Sequence, residues 1–248
     1  MTVANAGAKP DGAEDEASAA AAVRSMFDQI APRYDLLNHV LSCNIDRLWW
    51  YKASRTFRQI LARPEAQILD LCCGTGDMTL ALLRRRPEPS RPILAADFAH
   101  QMLVRGAAKF AGKRAIPLEA DALHLPLPSA SLDLLTTAFG FRNLANYRAG
   151  LEEFYRVLKP GGEVGILDFS EPGGAMGKLY AFYFRRVLPA VGSLLSGNAA
   201  PYRYLPSSVH AFPMPPQLIE TMRSVGFAQV SWTPYSFGIA GLFRAVKP

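Results

Sequence analysis

The sequence predicts an α/β fold with a doubly wound, mostly parallel seven-stranded sheet whose last strand is antiparallel. Three observations carry this. Short apolar runs alternate with helix-compatible segments from about residue 67 onward. A glycine-rich turn, Gly74-Thr75-Gly76, directly follows the first of those runs, Ile68-Leu69-Asp70-Leu71. Two late runs, 228–233 and 241–246, close the chain as a hairpin-like pair of strands.

Residues 1–22 are alanine-rich and acidic, and read as a disordered tail ahead of a single domain, 23–248. Within that domain, 23–62 reads as an N-terminal helical lid. A short helix over 24–31 is stopped by Pro32, and a second helix runs from 44 or 45 to Ala62. The core alternation follows: strand 67–72, helix 77–85, strand 92–96, helix 99–110, strand 116–120 and strand 132–137. Next come a helix at 147–157, a turn at Pro160-Gly161-Gly162 and a fifth strand over 163–168. Residues 171–217 form an unusually long connection, with seven aromatics in 47 residues and four Lys/Arg against one acid. An apolar stripe of Leu179, Phe182, Tyr183, Val187, Leu188, Val191 and Leu195 suits either core packing or an aromatic cap over a substrate.

Composition narrows the class. Half the residues are apolar and 19% are charged, ample for a core. The net charge of +6 divides into −3 on residues 1–22 and +9 on the remainder, so the folded body is basic and suits an anionic surface. Cys43, Cys72 and Cys73 lack metal-ligand or disulfide spacing and read as buried thiols of a reducing cytoplasm, with no metal expected. Neither a secretory signal nor a run of about 18 apolar residues is present.

Ligands of a doubly wound sheet sit at the carboxyl ends of its strands, where Asp70, Asp97, Asp121 and Phe139–Asn143 converge. Gly74 and Gly76 let the backbone approach a ligand closely. Asp97, 21 residues beyond Gly76, suits both hydroxyls of a ribose. An NAD site would share that layout, but Thr79 stands where its third glycine belongs, and Asp77 would repel a pyrophosphate. Asp70 followed by Gly-x-Gly instead resembles the pattern of S-adenosylmethionine-dependent methyltransferases.

Longer motifs extend the likeness. Tyr34-Asp35-x-Leu37-Asn38-x-x-Leu41-Ser42 with Asp46 and Trp49, and Arg156–Gly162 through Ile166-Leu167-Asp168-Phe169-Ser170, resemble two signatures of the ubiquinone/menaquinone biosynthesis C-methyltransferases. Phe139–Asn143, Tyr202–Ser208 and Phe212-Pro213 add to them, so the resemblance spans nearly all of 24–248. The family usually carries Met at 37, His at 46 and Glu at 168, so the chain departs at three positions. The resemblance implies a Rossmann-like class I methyltransferase fold, S-adenosyl-L-methionine as cofactor, and methylation of the ring of demethylmenaquinol. A polyprenyl methoxy-benzoquinol is the alternative acceptor.

By the same resemblance Thr75 and Asp97 contact the cofactor, Asp121 and Ala122 lie at the adenine, and Ala138 lines the site. Ring methylation needs a quinol oxygen positioned for deprotonation, for which Arg142 and Asn143 are the expected catalytic pair, with Tyr34 in reserve. The expected partners are a polyprenyl quinol and an anionic membrane surface, met from the cytoplasmic side, and no nucleic acid. The sequence is also compatible with a homodimer, and with a catalytically silent scaffold of a quinone-synthesis complex.

Overall fold

In the computed structural model the described residues are 7–10, 12–35, 39, 42, 44–174, 177, 180, 183 and 200–248, without the side chains of 33 and 200–203. The central alternation comprises β1 (Ile68–Leu71), α4 (Asp77–Leu83), β2 (Ile93–Asp97), α5 (His100–Phe110), β3 (Ala115–Glu119), β4 (Leu132–Ala138), α6 (Tyr147–Val157) and β5 (Leu158–Phe169). Strands β6 (Ala228–Tyr235) and β7 (Ala240–Val246) complete one sheet in the order β3-β2-β1-β4-β5-β7-β6. The first five strands pair in parallel, and β7 runs antiparallel to both β5 and β6. The order reverses at β1, where β2 lies on one side and β4 on the other, and the loops leaving β1 and β4 diverge there into a crevice.

Burial explains the runs. All four residues of β1 are buried, as expected for a strand covered on both faces. Leu69, Leu135, Phe154, Ile166 and Phe243 belong to the core under α6, whereas Ile68, Leu134, Phe57 and Leu242 belong to the opposite one. Cys72 packs on the first of these cores and Cys73 enters a separate cluster with Ala95, Leu103 and Phe110. Adjacent residues thus point to opposite sides, as the strand period requires. Gly165 has a packing reason, since an added Cβ would stand 2.4 Å from the Phe57 ring.

Order begins earlier than the sequence suggested. Helix α1 spans Glu16–Ile30, so residues 16–22 are helical and the expected tail of 1–22 is shortened. The reason is local: Asp15 caps the helix by accepting from the Ser18 backbone N–H at 2.7 Å, and Ser18 Oγ in turn accepts from the Asp15 N–H at 3.0 Å. The helix expected over 45–62 divides at Phe57 into α2 (Ile45–Thr56) and α3 (Arg58–Leu61). The turn expected at Pro160-Gly161-Gly162 lies inside β5, as an irregularity between the Leu132–Leu158 and Leu134–Glu163 pairs.

Of the long connection, α7 (Ala200–Ala211), which contains Pro206, leads into α8 (Pro215–Val225). Tyr180 and Val209 are buried together beside Phe169, Leu205 and Ile239. The stripe positions Leu179, Phe182, Val187, Leu188, Val191 and Leu195 lie outside the described residues, as do Leu37, Asn38, Leu41 and Cys43.

Candidate active site

A cavity opens at the carboxyl ends of β1, β2 and β4. Its walls come from Leu71, Cys72 and Gly74 after β1, Asp97 and Phe98 after β2, Ala120–Leu123 after β3, and Ala138–Gly140 with Asn143 after β4. Helix α1 roofs it with Ala20 and Phe27, and Tyr34 follows. The roof is fastened at several points. Arg24 reaches Glu119, Asp28 accepts from the Gln101 N–H at 2.9 Å, and the Ala8 N–H donates to the Leu144 carbonyl at 2.8 Å.

Two non-glycine residues at the switch point hold left-handed backbones, Cys72 at φ 51° and Phe139 at φ 59°. Such conformations persist where the surroundings over-determine them. Gly140 shows how tightly these two loops meet, because an added Cβ would lie 2.2 Å from Cys72 Cβ. Burial, with nearby Asp97 adding to it, pushes the Cys72 thiol well above its ordinary pKa, so this cavity-lining cysteine is a protonated, apolar wall.

Asp97 and Asp121 are the two carboxylates among the residues lining the cavity. For Asp97, the backbone donors are specific. One carboxylate oxygen accepts from the Gly74 N–H at 2.7 Å and the other from the Ala99 N–H at 2.9 Å. Burial pushes its pKa up to about 6, against the lowering effect of these backbone donors. With Phe98 as a further backbone donor, the carboxylate still has acceptor capacity for a ligand hydroxyl. Asp121 accepts from the Leu123 N–H at 2.9 Å, a turn that also sets Ala122 and Leu123 into the wall. Asp97, Asp121, Ala122, Ala138 and Gly74 therefore share one cavity, as expected.

Three expected cofactor residues lie elsewhere. Asp70 is fully buried below the loop, with its oxygens accepting from Thr79 Oγ1 at 2.6 Å and Thr136 Oγ1 at 2.9 Å. It pins the floor of the turn, and burial pushes its pKa up to about 7. This bond also explains Thr79 at the position where a dinucleotide loop has glycine. Gly76 turns away from the cavity toward α5: at φ 90°, an added Cβ would stand 2.3 Å from the Phe110 ring.

Thr75, also buried, is not among the residues lining the cavity. Its hydroxyl donates to Asp35 and accepts from Lys109 Nζ at 3.1 Å, while Lys109 pairs with Asp35 at 2.7 Å and Asp77 at 3.1 Å. This cluster latches the segment after α1 to the glycine turn, and sequence reasoning had no signal for Lys109. Gly74 is the open glycine of the pair. It sits at φ 55°, and the nearest atom to an added Cβ is Tyr34 Cε1 at 3.7 Å.

The expected catalytic pair separates as well. Asn143 lines the cavity, where its Oδ1 accepts from Tyr204 Oη at 3.1 Å and its Nδ2 makes a long 3.4 Å contact to the Phe139 carbonyl. Burial pushes the Tyr204 phenol up to about 12, so it donates its proton as a hydrogen bond. Arg142 lies behind the wall, bound to Asp168 at 2.9 Å and to the Phe139 carbonyl. Its guanidinium stands over Phe169 at 5.2 Å. Arg142 is not among the residues lining the cavity, and its bonds tie the Phe139–Asn143 loop to Asp168. Asp46, where the family usually has His, is buried and bonds His39 Nδ1 at 2.9 Å.

The residues fit S-adenosylmethionine on structural grounds. A Cβ-free backbone position faces the cavity at Gly74, a carboxylate with free lone pairs stands beside it, and most of the remaining wall is apolar. No group of three or more His, Cys, Asp or Glu suited to a metal occurs among the described residues.

Comparison with known proteins agrees. The model of the ubiE/COQ5 methyltransferase family matches residues 14–247. A Deinococcus radiodurans protein called demethylmenaquinone methyltransferase is 46% identical over 230 residues, covering 91% of this chain and 92% of the relative. One of the same name from Thermus thermophilus is 46% identical over 226 residues, covering 90% and 100%. The Geobacter sulfurreducens ubiquinone/menaquinone biosynthesis C-methyltransferase UbiE is 41% identical over 230 residues, covering 91% and 88%.

Among solved structures, a SAM-dependent methyltransferase from Aquifex aeolicus superposes with a TM-score of 0.60 at 17% identity, covering 82% of this chain and 93% of that one. The [4+2]-cyclase SpnF gives 0.65 at 16%, covering 98% and 99%. Likeness at that distance speaks for the fold alone.

Proposed function

The chain belongs to the ubiE/COQ5 methyltransferase family and is an S-adenosylmethionine-dependent methyltransferase, and from that premise we propose that it C-methylates the ring of demethylmenaquinol to give menaquinol. One observation supports this reading above others: a single cavity joins the Asp97–Gly74 cradle to Asn143 and Tyr34 through walls that are mostly apolar. That combination suits a polar cofactor beside a flat aromatic acceptor.

Gly74, Asp97, Asp121, Ala122 and Ala138 would hold the cofactor, which supplies an electrophilic methyl group. The protein's residues prepare the acceptor. A quinol oxygen that gives its proton to water pushes electron density onto the neighbouring ring carbon, and once that carbon carries the methyl group it releases its own hydrogen to water as the ring regains aromaticity. Asn143 Nδ2, which among the described residues makes just the long contact to Phe139, has a donor available for that oxygen, and Tyr204 fixes the amide by donating to its Oδ1. Arg142, buried and paired with Asp168, holds the loop that presents Asn143. Roofing by α1 and the Asp35–Lys109 latch would narrow the access of bulk water to the same space.

The isoprenoid tail of such a quinol resides in a bilayer, so we infer peripheral membrane contact, with the connection 171–217 receiving the tail. No helix among the described residues is long and apolar enough to cross a membrane. Purified protein offered demethylmenaquinol and a polyprenyl methoxy-benzoquinol in competition tests the acceptor. Preferential methylation of the naphthoquinol is expected, and preferential methylation of the benzoquinol would move the assignment to ubiquinone synthesis.

A further inference from the structure

Helix α2 has two unlike sides. Asp46, Trp49 and Ala53 are buried, and the Trp49 ring packs on Phe139 at 5.7 Å and on Phe169 at 6.0 Å. On the outside, Ile45, Leu48, Lys52 and Arg55 follow one another at helical spacing, with Arg47, Tyr51 and Arg58 beside them. Ile45, Leu48 and Tyr51 are 42%, 47% and 53% exposed. The only acid on this helix is Asp46, which is buried and paired with His39. The exposed surface of 45–58 is therefore apolar at one end and cationic, with no exposed acid among the residues of this stretch.

The neighbouring turn continues this surface. Trp49 Nε1 donates to Ser236 Oγ at 2.9 Å, and Lys52 Nζ lies 5.6 Å from the Tyr235 ring, so the turn after β6 is fastened to α2. Its next residue, Phe237, holds a left-handed backbone at φ 59° with its side chain 83% exposed. A solvent-facing phenylalanine gains nothing in water from that strained conformation. Phe237 and Met214, itself 64% exposed, line one shallow groove.

We propose that the outer face of α2, together with Phe237 and Met214, is the surface by which the protein lies on an anionic lipid bilayer. This rests on the membrane contact inferred above and assigns it to particular residues. Apolar tips from α2, the Phe237 turn and the start of α8 would sit below the headgroups. Arg47, Lys52, Arg55 and Arg58 would meet lipid phosphates at the same level. Arg84 and Arg85 extend the cationic flank, because with Arg47 they line a groove between α2 and α4; Asp77 on its wall is already paired with Lys109. Inward-facing Trp49 touches Phe139 on the cavity wall, so this face lies on the far side of α2 from the site.

Cosedimentation of the full chain with phosphatidylcholine vesicles, with and without phosphatidylglycerol, tests the assignment. Salt-sensitive binding to the anionic vesicles is expected. The pair Leu48→Glu and Phe237→Glu should lower partitioning by about tenfold or more, and Arg47→Glu with Arg55→Glu comparably. Phe237→Gly relaxes the backbone, so it should weaken binding without lowering the thermal midpoint. All these variants should methylate a soluble short-chain quinol like the parent. Wild-type binding retained by every variant, equal binding of the parent to both vesicle types, or no binding at all would overturn the proposal. Failure of the parent to methylate the soluble quinol would overturn the function reading while leaving the vesicle result to stand by itself.

Discussion

Asp168 holds Arg142 at both ends: one carboxylate oxygen accepts from the guanidinium Nη1 at 2.9 Å and the other from the Arg142 backbone N–H at 3.0 Å. Burial by itself would lower the guanidinium pKa, and the carboxylate reverses this and raises it. The pair lies 26 residues apart in sequence and joins the end of β5 to the loop after β4. Through it the loop carrying Asn143 is set against the sheet.

Removing one partner should therefore cost more than removing both. Arg142→Met leaves a buried carboxylate unpaired, for which a loss of about 3–5 kcal/mol is expected in urea denaturation. The double variant Arg142→Met with Asp168→Leu should recover much of that stability. Its turnover should stay low, because Asn143 loses its support. Full activity in the double variant would show that the charge pair serves packing only.

The two glycines of the turn should behave differently. Gly76→Ala forces a Cβ into the Phe110 ring at a positive φ, and a destabilisation of about 1–3 kcal/mol is expected with a lowered thermal midpoint. Gly74→Ala meets no atom closer than 3.7 Å and should cost less stability. Its Cβ faces the cavity, so calorimetry should show weakened cofactor binding out of proportion to the stability loss.

A pH dependence follows from Asp97. Its folded pKa of about 6 lies above the ordinary value of about 3.9, so the stabilising contribution is complete below pH ~4 and is lost as pH rises through about 6. Asp70, raised to about 7, acts in the same direction. Cofactor hydroxyls donate to the ionised form, so affinity should fall about tenfold per pH unit below about 6. Calorimetry in buffers of different ionisation enthalpy should detect proton release on binding there. In Asp97→Asn that release should vanish, while Asp70→Asn should keep it and gain stability above pH 7.

If the Asn143 amide, which lines the cavity, meets the acceptor as proposed, Asn143→Ala should lower kcat about 100-fold while leaving cofactor affinity within about threefold. Tyr204→Phe removes only the bond that orients that amide and should cost less. Stopped-flow or steady-state kinetics with a soluble quinol separates these effects, and unchanged kcat in Asn143→Ala would remove it from the chemistry.

The sheet was legible because its strands are continuous apolar runs set apart by helices and turns, a pattern written locally in the chain. The side that each residue of the glycine turn presents was not, since Gly74, Thr75 and Gly76 are consecutive and only the packing of Phe110 and Lys109 tells them apart. Asp97 and Asp121 were readable from their places at strand ends. The Arg142–Asp168 bond was not legible, because the partners lie 26 residues apart and nothing local reports that pairing. Helix α1 was hidden by its alanine content, although Asp15 and Ser18 hold the spacing of a capping box.

Transfer of label from S-adenosylmethionine carrying an isotopic methyl group to a soluble demethylmenaquinol analogue, with the labelled atom located by NMR, tests the central claim most directly. Label bonded to a ring carbon of the quinol, and lost with Asn143→Ala, is the predicted result. Cofactor binding without transfer, or label found on a quinol oxygen, would contradict the account.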